Sequence, residues 1–131
     1  MKLINSNETN STPKIELDEA GNCIIEGKSY PEDATRVYDP LIKCLKGIKK
    51  ELVTMYINLI YFNTATSKKL MEAFTKLEDN ASVKNVKIKW FYEKYDEDSI
   101  DMAQIFQENL DKVKFEYQEY AEDVNYEIKL C

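Results

Sequence analysis

The chain contains no histidine. That removes Ser-His and Cys-His nucleophile pairs, imidazole metal ligands and the usual general base at neutral pH. Cysteine is scarce: Cys23, Cys44 and Cys131 cannot all pair within one chain and share no C-x-x-C spacing. A reduced, cytoplasmic chain is the reading that follows. Basic charge is in deficit, with 18 Lys and Arg against 24 Asp and Glu and a net charge of −6. Duplex binding needs a dense basic face, so nucleic acid is disfavoured as a partner. No apolar run approaches the ~20 residues of a membrane-spanning helix, and the amino terminus lacks a signal peptide's apolar core, so no membrane insertion is expected. What remains is a soluble globular composition, 131 residues at 44% hydrophobic and 32% charged, with room for one core.

Met1 to Thr12 is dominated by Asn, Ser and Thr, offers no core face, and is read as a flexible tail. Residues 13–131 are expected to form a single domain. Ile15 and Leu17 alternate with polar neighbours, Ala20-Gly21-Asn22 supplies turn chemistry, and Cys23-Ile24-Ile25 follows, which predicts a hairpin. Ser29-Tyr30-Pro31-Glu32 has the form of a helix start with Ser29 as N-cap. Ala34, Val37, Tyr38, Leu41, Leu45 and Ile48 follow at helical spacing, with Pro40 expected to kink the helix or restart it on Asp39.

Val53, Met55, Ile57, Leu59 and Tyr61 alternate as the best strand. Leu70, Phe74 and Leu77 give the next helix one apolar face. Val86, Ile88, Trp90 and Tyr92 form a second alternating strand, and Met102, Ile105, Phe106 and Leu110 a third helix. Late strands are read at Val113-Phe115-Tyr117 and at Val124-Tyr126-Ile128-Leu130. The order is β-β-α-β-α-β-α-β. Strands after residue 84 are apolar on one side and Lys/Glu-rich on the other, which predicts a two-layer α/β fold, a mixed β-sheet with helices packed mainly on one face.

Two places carry candidate chemistry. At Phe62-Asn63-Thr64 a buried strand ends, and Thr64, Thr66 and Ser67 crowd the mouth of a helix. Helix capping accounts for such residues. A phosphate there would equally meet free backbone N–H groups and the positive end of the helix dipole, and would add ~2 negative charges to a docking surface. The second place is Tyr95-Asp96-Glu97-Asp98-Ser99 with Asp101. Asp96 and Asp98 suggest a Mg²⁺ site or the D-x-D of aspartate-nucleophile phosphatases, but Ile100 stands where that motif wants Thr or Val. The EF-hand spacing fails as well, and acids in a first helical turn are favourable without any ligand. Phe91, opposite Trp90 among lysines, reads as an exposed aromatic hot spot for a protein partner. Cys44 reads as packing.

Together three segments resemble one family. Ser29-Tyr30-Pro31-Glu32-Asp33-Ala34 with Tyr38-Asp39-Pro40-Leu41 is similar to its helix opening, Leu59 to Ser67 to its strand–helix corner, and Val86 to Tyr92 with Asp96-Glu97-Asp98 to its strand and acidic turn. The likeness to the SiaC family of bacterial regulatory phosphoproteins runs from about Thr12 to Phe115. It implies a STAS-like fold similar to anti-sigma-factor antagonists. It further implies a non-enzymatic partner switch, phosphorylated by a cognate kinase, dephosphorylated by a PP2C-type phosphatase, and engaging a target such as a diguanylate cyclase when unphosphorylated. No cofactor or metal is called for.

The family's acceptor falls on Thr64. Ala65-Thr66 replaces the usual serine pair, leaving Thr66, with Ser67, as a competing acceptor, and Glu93-Lys94-Tyr95 alters the approach to the acidic turn. The residues expected to meet partners are Asn63, Thr66, Ser67, Phe91, Tyr95, Asp96 and Asp98. The alternatives are a metal-dependent phosphatase or phosphodiesterase using Asp96, Asp98 and Asp101, and a constitutive interaction domain without a switch.

Overall fold

The computed structural model describes residues 2–121. Six strands form one sheet in chain order: β1 (Lys2–Ser6), β2 (Lys14–Asp18), β3 (Asn22–Ser29), β4 (Leu52–Phe62), β5 (Asn85–Glu93) and β6 (Val113–Tyr120). The first three strands pair antiparallel and the last three join them in parallel. Connection length explains the difference. Only a short turn separates β2 from β3, which allows a hairpin, whereas α1 (Ala34–Gly47), α2 (Thr64–Asp79) and α3 (Glu97–Gln107) each supply the crossover that parallel neighbours need. Gly21, at φ 90°, closes the hairpin where an added Cβ would stand 2.8 Å from the Leu52 carbonyl oxygen.

All three helices bury against the same side of the sheet. One core joins Tyr38, Leu41 and Leu45 of α1, Leu70, Phe74 and Leu77 of α2 and Ala103 and Phe106 of α3 to Ile25, Met55, Ile57, Ile88 and Trp90 of the strands. The period-2 pattern read in β4 and the first part of β5 lies on that side, giving the two-layer mixed fold its sequence predicts. Ring packing fixes the end beneath α3: Trp90, Phe106, Phe115 and Phe74 meet at centroid distances of 5.4–6.0 Å. No helix among the described residues is long and apolar enough to cross a membrane.

Several expectations are corrected. Residues 2–6 lie in the sheet as β1, paired with β2 from Lys2↔Asp18 to Ser6↔Ile15. A polar edge strand needs only its backbone ladder and one apolar contact, and here Ile4 packs against the core while Lys2 Nζ reaches Glu16 at 2.9 Å. The segment after it is tied down through Thr9 N–H to the Thr12 carbonyl (2.9 Å) and Tyr30 N–H to the Ser11 carbonyl (2.9 Å). A polar composition is compatible with an edge strand, because backbone pairing does not require an apolar face.

The N-cap of α1 is Asp33, which accepts from Arg36 N–H at 3.2 Å, and Ser29 is still within β3 and fully buried. Pro40 neither breaks nor restarts the helix. It and Arg36, whose carbonyl loses its bond to residue 40, lie on the exposed side of a continuous α1. Asp39 pairs across to Lys69 of α2 at 2.7 Å instead of capping. Tyr61 and Ile105, read as core, are more than half exposed. Cys44 is half-buried against the core, as its packing role predicts. The expected strand at Val124–Leu130 and Cys131 lie outside the described residues.

Candidate functional site

β4 carries five residues beyond its last pairing with β5, so its end stands at the rim of the sheet, held there by β3 through Ser29↔Phe62. The chain then turns into α2. Asn63, in extended backbone, is the N-cap: its Oδ1 accepts from Thr66 N–H at 2.9 Å, and its own N–H donates to the Ser29 carbonyl at 3.0 Å. Ser67 is partly buried, donating its hydroxyl to the Asn63 carbonyl at 3.3 Å.

The three corner hydroxyls therefore differ sharply. Thr66 is wholly buried, with Oγ1 donating to the Ser29 carbonyl at 3.0 Å and lying 2.8 Å from Ser29 Oγ, which in turn is 2.6 Å from Tyr38 OH. Burial pushes the Tyr38 phenol up to about 12. Thr64, the first residue of α2, is exposed, and its hydroxyl makes no hydrogen bond among the described residues.

The acidic turn sits at the matching end of β5. Tyr95 has φ 74°, an uncommon backbone region for a tyrosine; the residue is 76% exposed, with Lys94 Nζ 5.1 Å from the centre of its ring. Asp96 then caps α3, its Oδ1 accepting from Ser99 N–H at 3.2 Å, and Glu97 and Asp98 occupy the favourable first turn. Ser99 Oγ takes the indole N–H of buried Trp90 at 2.9 Å, which anchors the turn to the core.

Both segments line one groove of about 290 Å³, with Asn63, Thr64 and Ser67 on one side, Asp96, Asp98 and Ser99 on the other, and Tyr61 and Met102 among its walls. The fold thus brings together Asn63, Thr64, Ser67, Asp96 and Asp98, which are about thirty residues apart in the chain. Tyr95 lines an adjoining groove with Asp96, Glu97 and Asp101. Thr66 does not line the first groove. Nor does Phe91, which is 4% exposed and packs with Ile24, Tyr56 and Tyr120 on the sheet face away from the helices. The exposed hot spot expected at Phe91 is therefore corrected. Its lysine neighbours suggested a solvated face, but an apolar cluster covers that part of the sheet.

The metal reading finds no support in the geometry: among the described residues no three His, Cys, Asp or Glu side chains gather closely enough to hold an ion. Two contributors escaped the sequence pattern. Tyr30 and Tyr61 stack edge to face at 5.4 Å beside the corner, both rings exposed, where alternation had placed Tyr61 in the core. Pairing of Ser29 with Phe62 across β3 and β4 was the missing signal, since it carries both strands to the rim.

A two-layer mixed sheet with three helices on one face, setting a helix-mouth hydroxyl beside an acidic turn at adjoining strand ends, defines the chain as a small α/β domain. The model of the SiaC family regulatory phosphoprotein matches residues 6–120. The chain belongs to that family of regulatory phosphoproteins.

Solved structures agree. The chain resembles a chain in the crystal structure of the diguanylate cyclase SiaD in complex with its activator SiaC from Pseudomonas aeruginosa, at TM-score 0.79 and 25% identity, covering 89% of this chain and 99% of that one. Apo-SiaC from Pseudomonas aeruginosa is similar at TM-score 0.75 and 25% identity, covering 90% of this chain and 98% of that one. Comparison with curated proteins yields no match.

Proposed function

We propose that this chain is a cytoplasmic partner-switching regulator whose switch is reversible phosphorylation of Thr64. A cognate kinase adds the phosphate, a PP2C-type phosphatase removes it, and the unphosphorylated form engages a target, for which a diguanylate cyclase is the model offered by the SiaC–SiaD complex. The observation that carries this reading is the division of labour at the corner. Thr66 and Ser67 have their hydroxyls engaged in hydrogen bonds, whereas Thr64 offers an exposed hydroxyl, unengaged among the described residues, at the mouth of α2.

The physical effect of the modification follows from its neighbours. Phosphate on Thr64 would stand at the positive end of α2, where the amides of Thr64 and Ala65 have no hydrogen-bond acceptor among the described residues. It would also add ~2 negative charges to a groove already lined by Asp96 and Asp98. A partner seated over Tyr61, Met102 and the acidic turn would meet a changed charge and lose the volume the phosphate fills. Asn63, Ser67, Tyr95, Asp96 and Asp98 are its proposed contacts.

The test is binding of the diguanylate cyclase from the same cells to unphosphorylated protein, phosphorylated protein and Thr64→Ala, followed by calorimetry. Unphosphorylated protein and Thr64→Ala should bind alike, phosphorylated protein at least tenfold more weakly, and Thr64→Glu between them because a carboxylate carries less charge. Equal binding by all forms would leave a constitutive interaction domain and remove the switch.

A further inference from the structure

We infer that Ser29 and Tyr38 are positioning residues for the Thr64 corner: with Thr66 they form a closed, one-directional chain of buried hydroxyls that locks the first turn of α2 to the sheet. The inference rests on Thr64 being the acceptor for its functional meaning, but not for its geometry.

Hydrogen-bond direction is determined by chemistry. The Ser29 carbonyl can only accept, so Thr66 Oγ1, at 3.0 Å, gives its one proton to it. Thr66 Oγ1 must then be the acceptor in its 2.8 Å contact with Ser29 Oγ, and Ser29 is the donor. With the Ser29 proton committed, the 2.6 Å contact to Tyr38 has the phenol donating to Ser29 Oγ. The chain runs Tyr38 to Ser29 to Thr66 to the Ser29 carbonyl, and every proton in it has an acceptor. All three residues are fully buried, and they come from α1, β3 and α2. A phenol kept neutral by burial remains a donor across the physiological range.

Ser29 also brackets the acceptor. Its carbonyl takes the Asn63 N–H on one side of Thr64 and the Thr66 hydroxyl on the other, both at 3.0 Å. Thr64 has no side-chain hydrogen bond of its own among the described residues, so its presentation depends on these flanking anchors. A side chain that must enter another protein's active site gains from a backbone fixed in advance. Helix capping by Asn63 alone would not require a third element. The hydroxyl chain adds one, joining the corner to α1 through Tyr38.

The experiment is native-state amide hydrogen exchange on the full unphosphorylated chain, comparing wild type with Tyr38→Phe, Thr66→Val and Thr66→Ser. Breaking the chain should speed exchange at the Thr66 and Ser67 amides about tenfold, with less than about a threefold change at Met55 and Ile57 in β4. Thr66→Ser keeps the hydroxyl and should restore the wild-type rates, which lost packing alone would not predict. Should Thr66→Val not fold, Tyr38→Phe removes the first donor while keeping the ring. A uniform rise across the sheet, or failure of the serine variant to rescue, overturns the inference. Phosphate occupancy of Thr64 in protein from its own cells is the functional readout, expected to fall in Thr66→Val and recover in Thr66→Ser. Phosphate on Thr66 or Ser67 instead of Thr64 in the wild type would refute the acceptor assignment and leave the exchange result standing.

Discussion

Replacing Thr64 by alanine should abolish the switch while leaving the fold as stable as before. Thr64 is exposed, its hydroxyl engages nothing among the described residues, and alanine is the better helix former at the first position of α2. The two effects limit the change to within about 0.5 kcal/mol, or about 2 °C in melting temperature for a chain of this size. One residue earlier the expectation reverses. Asn63→Ala deletes the acceptor for Thr66 N–H, a cap contact worth about 1 kcal/mol, and should lower the melting temperature by about 3–5 °C. Asn63→Asp keeps an acceptor and places charge at the positive helix end, so it should recover most of that loss.

The assay is thermal unfolding by circular dichroism at pH 7, on unphosphorylated protein so that charge on Thr64 plays no part. Thr64→Ala as destabilising as Asn63→Ala would show that the hydroxyl is structural, and would remove the physical basis for assigning it a separate role. Asn63→Asp as unstable as Asn63→Ala would refute the capping geometry.

Other consequences are accessible to simple measurements. Ser99→Ala strands the buried Trp90 indole N–H and should cost about 1–3 kcal/mol in urea unfolding, while an unchanged midpoint would place that N–H elsewhere. Burial, with a smaller effect of Asp18, pushes the Cys23 thiol well up, so in a Cys131→Ser background a thiol reagent at pH 8 should label half-buried Cys44 first and Cys23 only on unfolding. The hydrogen bond from Lys2 holds the Glu16 carboxyl below the usual carboxylate range. A lowered folded-state value stabilises above that range and is lost as pH falls through it. Lys2→Ala should therefore cost about 0.5 kcal/mol near neutral pH and progressively less as pH falls through the folded-state value, and a cost independent of pH would show that Lys2 acts otherwise than through the pair.

Most of the architecture was legible because it depends on period. Val53, Met55, Ile57 and Leu59 alternate, and they bury as read. The apolar stripe of α1 does likewise, from Ala34 to Leu45. What escaped was decided by pairing between distant segments. β1 has no apolar period of its own, and only β2 gives it a place. Ser29 has the chemistry of a cap, yet pairing with β4 keeps it in β3, so the helix starts at Ala34 and the serine turns inward to Tyr38 and Thr66. Phe91 sits among lysines in sequence but among Ile24, Tyr56 and Tyr120 in space. The corner and the acidic turn were each visible as motifs. That they share one groove follows from β4 and β5 being parallel neighbours, which no local pattern states.

The most direct test of the central claim is phosphopeptide mapping of the protein purified from its own cells, before and after treatment with a PP2C-type phosphatase. The account predicts one removable adduct of about 80 Da, on Thr64 and on no other residue of the corner. Phosphate confined to Thr66, Ser67 or a site away from the α2 mouth would contradict it.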